Sequence, residues 1–171
     1  MRIIGNYKDD QYEYKGVEKI RKIVRAVVLD EQNRIALTKI NNTDKFGIRD
    51  YYELPGGGVQ KGETLLRALS REMEEEIGCE ISVIKEIGKV IDYYNLILRE
   101  NHNYFYLVRV SNRVPSRLEP EEIERIEAIV WVPIDEAIRL YEKMQNILVG
   151  KLVKQRELPI LQRAQKMINS L

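Results

Sequence analysis

The chain has 171 residues, of which 44% are hydrophobic and 32% charged, a composition typical of a soluble domain with a buried core. Lys and Arg number 28 against 27 Asp and Glu, so the net charge of +1 creates no global field that would favour a nucleic-acid polymer as partner. The single cysteine, Cys79, excludes a disulfide framework within the chain and indicates a reducing cytoplasm, and no apolar stretch predicts a signal peptide or a membrane span.

The amino-terminal part predicts a hairpin after a short edge element. Residues 1–17 are polar and tyrosine-rich, which favours an edge strand or an arm. Residues 20–29 and 34–40 are rich in β-branched side chains and flank a turn at 30–33, so we expect two hydrogen-bonded strands. Residues 41–50 are a polar insertion, expected to be a loop that could line a substrate site.

A glycine-rich turn and a helix follow. The glycines give a backbone that can approach a ligand closely; they are Gly56, Gly57, Gly58 and Gly62. The helix is expected to begin near Thr64 and to end at Gly78, because apolar residues recur between them at helical spacing. That apolar stripe comprises Leu65, Leu66, Leu69, Met73 and Ile77, and we expect it to pack inward.

Three carboxylates of this helix share one face. Glu72, Glu75 and Glu76 are related as i, i+3 and i+4, and Ala68, one turn earlier, leaves space beside them. Carboxylates crowded half out of water repel one another, and a divalent cation removes the conflict. A ligand set made only of oxygens suits Mg²⁺ or Mn²⁺. The alternative is a charge run on a solvated helix face.

Arg71 lies where it could pair with Glu63 or Glu75. The alternative is an ordinary i,i+4 surface pair, worth only about 0.3 to 0.5 kcal/mol.

The remaining segments predict further strands and two helices. In chain order these are a strand at 81–93, a strand at 103–110, an acidic segment at 116–127, a buried strand at 128–132, a helix from residue 134 and a helix at about 158–168. No Gly/Ser-rich linker divides the chain, so we expect one domain over residues 1–171 with a helical extension over about 146–171.

The segment Gly57 to Cys79, GGVQKGETLLRALSREMEEEIGC, resembles the Nudix box. That signature is Gly, five spacers, Glu, seven spacers, then Arg-Glu-apolar-x-Glu-Glu-x-Gly-apolar, and every fixed residue is in register. Met73 and Cys79 depart slightly, since Ile, Leu or Val is more usual there, but both are apolar. The resemblance is tight over 54–79 and looser over about 20–145.

The resemblance implies an α/β/α sandwich with a mixed sheet and hydrolysis of a diphosphate bond in a small nucleoside diphosphate derivative. It implies that Glu72, Glu75 and Glu76, with the backbone carbonyl of Gly57, hold Mg²⁺ or Mn²⁺, and that Glu75 or Glu72 is the general base. Some relatives use a downstream glutamate instead, for which the candidates here are Glu119, Glu121, Glu122 and Glu124. Arg71 is expected to orient carboxylates, with a supporting loop formed by Glu63, Gly56 and Gly58.

Other interpretations stay open at this point. A Nudix fold could sense a nucleotide without cleaving it, since fold alone does not establish activity. An isomerase of isoprenoid diphosphates would need a cysteine and further metal ligands, for which Cys79 and His102 are not suitably placed. Tyrosines 93, 94, 104 and 106 could stack on a base, and Arg25, Lys39, Arg49 and Arg109 could contact phosphates. The amino-terminal arm and the last helix could form a homodimer.

Overall fold

The computed structural model describes residues 1–171 and consists of eight strands and four helices. The strands are β1 (Ile3–Tyr7), β2 (Lys19–Leu29), β3 (Arg34–Asp44), β4 (Gly47–Glu53), β5 (Gly56–Gly58), β6 (Cys79–Tyr94), β7 (Arg99–Arg113) and β8 (Ile126–Pro133). The helices are α1 (Leu65–Ile77), α2 (Pro120–Arg125), α3 (Ile134–Lys143) and α4 (Leu148–Ile168), with one 3₁₀ turn at Asn95–Ile97. No helix is both long and apolar enough to cross a membrane.

The strands form one mixed sheet in the order β1-β6-β7-β2-β3-β4, with β5 paired to β2 and β8 paired to β3. The β1–β6 and β2–β7 pairs are parallel, and the other pairs are antiparallel. The predicted turn at 30–33 is present, but β2 and β3 pair only through Leu29 and Ile35. They diverge because β5 and β8 take their other hydrogen bonds. The gap that opens between them contains the glycine turn.

Helices cover both faces of the sheet. Alternate residues of β2 point to opposite sides. Val24, Ala26 and Val28 pack in the layer under α1, whereas Val27 and Leu29 pack in the layer under α3 and α4. The expected α/β sandwich with a mixed sheet is confirmed.

Helix α1 has the predicted ends. The Thr64 hydroxyl accepts a hydrogen bond from the Arg67 N–H at 3.2 Å, and Gly78 closes the helix in the left-handed conformation at φ 62°. Ala68, Leu69, Met73 and Ile77 are buried, but Leu66 is exposed and is not part of the inward stripe. The helix is therefore fixed at both ends and along one face, which sets the direction of its glutamates.

Two expected boundaries in the chain were wrong. Residues 41–50 are not a loop: β3 continues to Asp44 and β4 starts at Gly47, whose φ of 92° permits the tight turn between them. The last helix begins at Leu148, ten residues before the expected start, and continues through Pro159. Its first half is helical because it is buried against the sheet, a tertiary effect that local sequence patterns do not report.

The acidic segment and the strand after it also differ from expectation. The short helix α2 within 116–127 was not predicted, although Pro120 at its start and a capping box between Glu119 and Glu122 are signals for it. Strand β8 is present but only half-buried. Its Trp131 lies under the Arg113 guanidinium, 4.5 Å from the ring centre, rather than in the core.

Candidate functional site

The glycine turn brings bare backbone against the carboxylates of α1. Gly56 has φ 146°, and a β-carbon there would collide with the Val24 carbonyl. A β-carbon on Gly57 would collide with the Glu72 carboxylate. The backbone of β5 therefore reaches the helix only because these positions lack side chains.

Glu76 is held in place by two hydrogen bonds. Its carboxylate, 4% exposed as a residue, accepts from the Thr38 hydroxyl at 2.6 Å and from the Gly56 N–H at 2.8 Å. Burial raises the pKa of Glu76 to about 7 despite these two bonds. The side chain thus connects α1, β3 and the glycine turn at one point.

Three carboxylates converge at this point. Glu72, Glu76 and Glu122 each offer an oxygen, and the three atoms lie within 4.8 Å of one another. Burial also raises the pKa of Glu72, against the effect of Arg71. Oxygen ligands in a crowded, half-dry cluster of this kind fit a hard divalent cation such as Mg²⁺ or Mn²⁺, which would compensate the charge repulsion. Glu122 comes from α2, where its other role is to accept from the Glu119 N–H at 2.8 Å.

Arg71 joins the acidic residues of the box. Its guanidinium donates two hydrogen bonds to Glu63 at 2.9 and 3.0 Å and one to each of Glu72, at 2.7 Å, and Glu75, at 3.0 Å. A further bond goes to the Gly58 carbonyl at 3.0 Å. The sequence offered Glu63 or Glu75 as partners, and the structure has both, so Arg71 connects the loop to the helix.

The Glu63–Arg71 pair predicts an acid-dependent contribution to stability. Hydrogen bonds from Arg71 lower the pKa of Glu63 from 4.5 to about 2. Because the folded-state pKa is the lower one, its stabilisation is present above pH 4.5 and is lost as the pH falls toward 2. We expect Glu63→Gln to be less stable at pH 7 and to have a flatter stability profile between pH 4.5 and 2. Urea unfolding at stepped pH measures this, and parallel profiles for the two proteins would contradict it.

Glu75 lies apart from the three-carboxylate cluster. Its side chain is 29% exposed, and its described side-chain contact is the bond to Arg71. Its neighbours include Lys61, Arg67 and Arg117, which line a different surface hollow. Of the three carboxylates expected to share the metal, the structure brings Glu72 and Glu76 into the cluster, whereas Glu75 is connected to Glu72 only through Arg71.

A cleft of about 460 Å³ opens beside the cluster. Most of its lining comes from β2, β4, β5, β7, α2 and the β3–β4 turn, with single residues from α1, β6, the 3₁₀ turn and α4. Its basic residues are Arg21, Arg25, Lys45, Arg49, Arg99, Arg125 and Arg156. Among residues proposed from sequence, Arg25, Arg49 and Tyr94 line it. Lys39 pairs with Asp50, Arg109 with Asn33 and His102 with Glu100, all outside the cleft. The 41–50 segment contributes Lys45, Phe46 and Arg49 to the lining of the cleft.

Beneath the cleft lies a buried ionic network that sequence reasoning missed. Arg25 donates to Glu53 at 2.9 Å and to the Leu54 carbonyl at 2.8 Å, while the Leu54 N–H donates to Glu157 at 2.7 Å. Arg156 donates to Glu157 at 2.6 Å. The adjacent opposite charges at 156–157 are followed by the apolar residues 158–161, which was the available signal. The network holds both the N–H and the carbonyl of Leu54, which precedes the glycine turn.

Comparison with known proteins places this arrangement in a family. Residues 19–150 match the NUDIX domain. RNA pyrophosphohydrolases of Pelagibacter ubique and Francisella tularensis subsp. mediasiatica are each 36% identical, over 75 and 74 residues. These matches cover 43% of this chain and 45% and 44% of the relatives, so the chain spans less than half the length of these curated relatives.

Two solved structures share the fold over most of the chain. A NUDIX hydrolase from Nitrosomonas europaea is 20% identical with a TM-score of 0.62, covering 89% of this chain and 90% of that one. A MutT protein from Methanosarcina mazei Go1 is 16% identical with a TM-score of 0.62, covering 91% and 98%. At such identities the likeness shows the fold alone. With the domain match over residues 19–150 and the box residues assembled around a glycine turn, the chain belongs to the Nudix family.

Proposed function

We propose that this protein hydrolyses the diphosphate linkage of a nucleoside diphosphate derivative in a reaction that depends on a divalent metal ion. The observation that carries the proposal is the cluster of Glu72, Glu76 and Glu122 at the wall of an arginine-lined cleft. Carboxylates would hold the cation, and arginines would attract the anionic substrate. Carboxylates without arginines, or arginines without a cation site, would not bind a diphosphate for hydrolysis. The two together can do so.

Glu72 and Glu76, with the Gly57 carbonyl, are the proposed ligands for Mg²⁺ or Mn²⁺, and Glu122 is a further candidate. Glu75 lies outside the three-carboxylate cluster and is connected to it through Arg71, and it stays a proposed ligand or base on the strength of that link. When bound, the cation supplies positive charge that orients the diphosphate and makes a water molecule more acidic. Thr38 and the Gly56 N–H keep the Glu76 carboxylate directed at the cluster.

A carboxylate must accept the proton of the attacking water. Glu72 and Glu75 are the proposed bases, and both are held by the Arg71 guanidinium, at 2.7 and 3.0 Å. Arg71 thereby restricts the rotamers of both side chains. Glu122 is the downstream alternative because it reaches the same cluster from α2.

Two substrate classes fit the cleft. A small nucleotide, nucleotide sugar or dinucleotide fits a cleft of about 460 Å³. The relatives named RNA pyrophosphohydrolase favour RNA carrying a pyrophosphate as a second candidate. The open basic cleft is compatible with either, because both present the same diphosphate group.

The test is release of phosphate and nucleoside monophosphate from a panel of nucleoside triphosphates, nucleotide sugars, dinucleotides and 5′-triphosphorylated RNA. Each substrate is assayed with Mg²⁺, Mn²⁺ or a chelator. We expect cleavage of at least one compound with metal and none with chelator. Tight binding without cleavage across the panel would contradict hydrolysis and identify a nucleotide sensor instead.

A further inference from the structure

Two arginines of the cleft have no acidic partner. Arg25, Arg125 and Arg156 each pair with a glutamate or aspartate, and Arg49 pairs with Asp44. Arg21 and Arg99 make no ion pair and no side-chain hydrogen bond within the protein, although both are only partly exposed and line the cleft. Arg99 lies over the Tyr94 ring, with its Cζ 5.1 Å from the ring centre, but neither guanidinium has an anion to offset the cost of its burial.

The sheet holds these two side chains side by side. β2 and β7 are parallel, with Lys19 opposite Arg99 and Arg21 opposite Asn101. Residues two apart on a strand share a face, so Arg21, Arg99 and Asn101 line the same patch of the cleft. Burial lowers the pKa of both arginines, and the second cause for Arg99 is the charge of Arg21. The two cations thus lie close enough to repel each other.

Asn101 supplies an independent observation. It is fully buried, at 0% exposure, and neither its Oδ1 nor its Nδ2 has a hydrogen-bonding partner. The Nε of Arg99 is likewise buried and unpaired. A buried amide without partners is costly, so native structures seldom retain one unless a ligand, an ion or an ordered water bonds to it. Both groups line the cleft, where an incoming anion could satisfy them.

The patch is continuous with the metal-binding cluster. A β-carbon on Gly58 would lie 2.7 Å from Arg21 Nη2, so the guanidinium lies against the backbone of β5. The preceding residue, Gly57, lies against the Glu72 carboxylate. An extended anion lying along β5 would therefore contact the cluster at one end and Arg21, Arg99 and Asn101 at the other.

We propose that Arg21, Arg99 and Asn101 form a subsite for a third phosphoryl group, so that the preferred substrate carries a chain of at least three phosphates. Two guanidinium forks and an amide N–H offer donors to the several oxygens of a phosphate, and Oδ1 of Asn101 can accept from a protonated one. This inference rests on the proposed function, in which the adjoining diphosphate occupies the carboxylate cluster. A nucleotide sugar has no third phosphate and would leave the subsite unused.

Calorimetric titration with inorganic pyrophosphate and tripolyphosphate in the presence of Mg²⁺ tests the subsite, because the cation then holds the first two phosphoryl groups at the carboxylate cluster, and assay of orthophosphate after the titration excludes cleavage. The wild type is expected to bind tripolyphosphate at least about tenfold tighter than pyrophosphate, equivalent to about 1.4 kcal/mol. Arg99→Gln and Asn101→Asp should reduce this ratio below about threefold. Asn101→Asp is nearly isosteric and gives the two arginines an internal carboxylate partner. Arg163→Gln, an equal change of charge on an exposed helix position, should retain the wild-type ratio.

Equal affinities in the wild type, or an unchanged ratio in folded variants, would overturn the subsite. If Arg99→Gln unfolds, Arg21→Gln replaces it, because Arg99 stacks on the Tyr94 ring whereas Arg21 makes no such aromatic contact. If the titrations show no subsite, the metal-dependent cleavage of the substrate panel is still measured separately. The subsite and the proposed hydrolysis can therefore fail independently.

A second titration separates the two sources of a triphosphate chain. A nucleoside triphosphate and a short 5′-triphosphorylated RNA are each compared with the matching diphosphate. Tighter binding of either triphosphate than of its matching diphosphate supports the subsite and identifies a nucleotide or an RNA as the source of the chain. Equal affinities for both pairs overturn the subsite.

Discussion

Glu72→Gln is expected to lower kcat/KM by about 100-fold or more, which corresponds to about 2.7 kcal/mol of transition-state stabilisation. The amide keeps the shape of the side chain, and its oxygen can still accept from Arg71, so the fold should persist. What is lost is the negative charge that holds the cation and the capacity to accept a proton. Steady-state kinetics on the best substrate of the panel measures the loss.

Glu74→Gln is the matched control, because Glu74 belongs to the same acidic run but not to the carboxylate cluster. It should remain within about twofold of the wild type. Calorimetric Mn²⁺ titration adds a readout other than turnover: affinity should fall about tenfold or more in Glu72→Gln and stay unchanged in Glu74→Gln. Equal activity of all three proteins would remove Glu72 from the proposed site.

Glu157→Gln is expected to lower the free energy of unfolding by about 3 to 5 kcal/mol, although the substitution is nearly isosteric. The Glu157 carboxylate is completely buried and accepts from the Leu54 N–H and the Tyr141 hydroxyl, both at 2.7 Å. It also neutralises Arg156, which is 1% exposed. Without the charge, Arg156 retains only Asp92, at 3.2 Å, as a carboxylate partner.

Urea unfolding at neutral pH measures this effect. Glu142→Gln, an exposed glutamate of α3, serves as the control and should change stability by less than about 0.5 kcal/mol. A loss below about 1 kcal/mol in Glu157→Gln would show that the network contributes little to folding. A large loss would mean that α4, most of which lies beyond the NUDIX match, is part of the structure that supports the glycine turn.

Local spacing explains why the sequence predicted so much of the box. Glu72 and Glu76 are one helical turn apart, so once Thr64 and Gly78 fix the ends of α1, their common face follows from 3.6 residues per turn. Arg71 and Glu63 are close for a related reason, since Glu63 directly precedes the Thr64 cap and Arg71 lies about two helical turns into α1. Interactions of this range depend on backbone geometry that the local residues themselves specify.

Site residues that come from distant segments of the chain could not be predicted from local spacing. Glu122 joins Glu72 from a helix 50 positions later, and Asn101 faces Arg21 only because β2 and β7 pair in one particular parallel register. The early start of α4 and the strand pairing within 41–50 have the same origin. In each case burial of many side chains against other elements outweighs weak local preferences.

The sequence by itself therefore determined the family, the α/β fold class and the helix that carries the candidate metal ligands, because those depend on motif spacing and helical periodicity. Only the tertiary structure decided that Glu122 completes the carboxylate cluster, that Glu75 lies outside it, and that Arg21, Arg99 and Asn101 meet unpaired in the cleft. Strand register and the packing of distant elements depend on the apolar surface that the whole core buries. No short segment of the sequence determines that total.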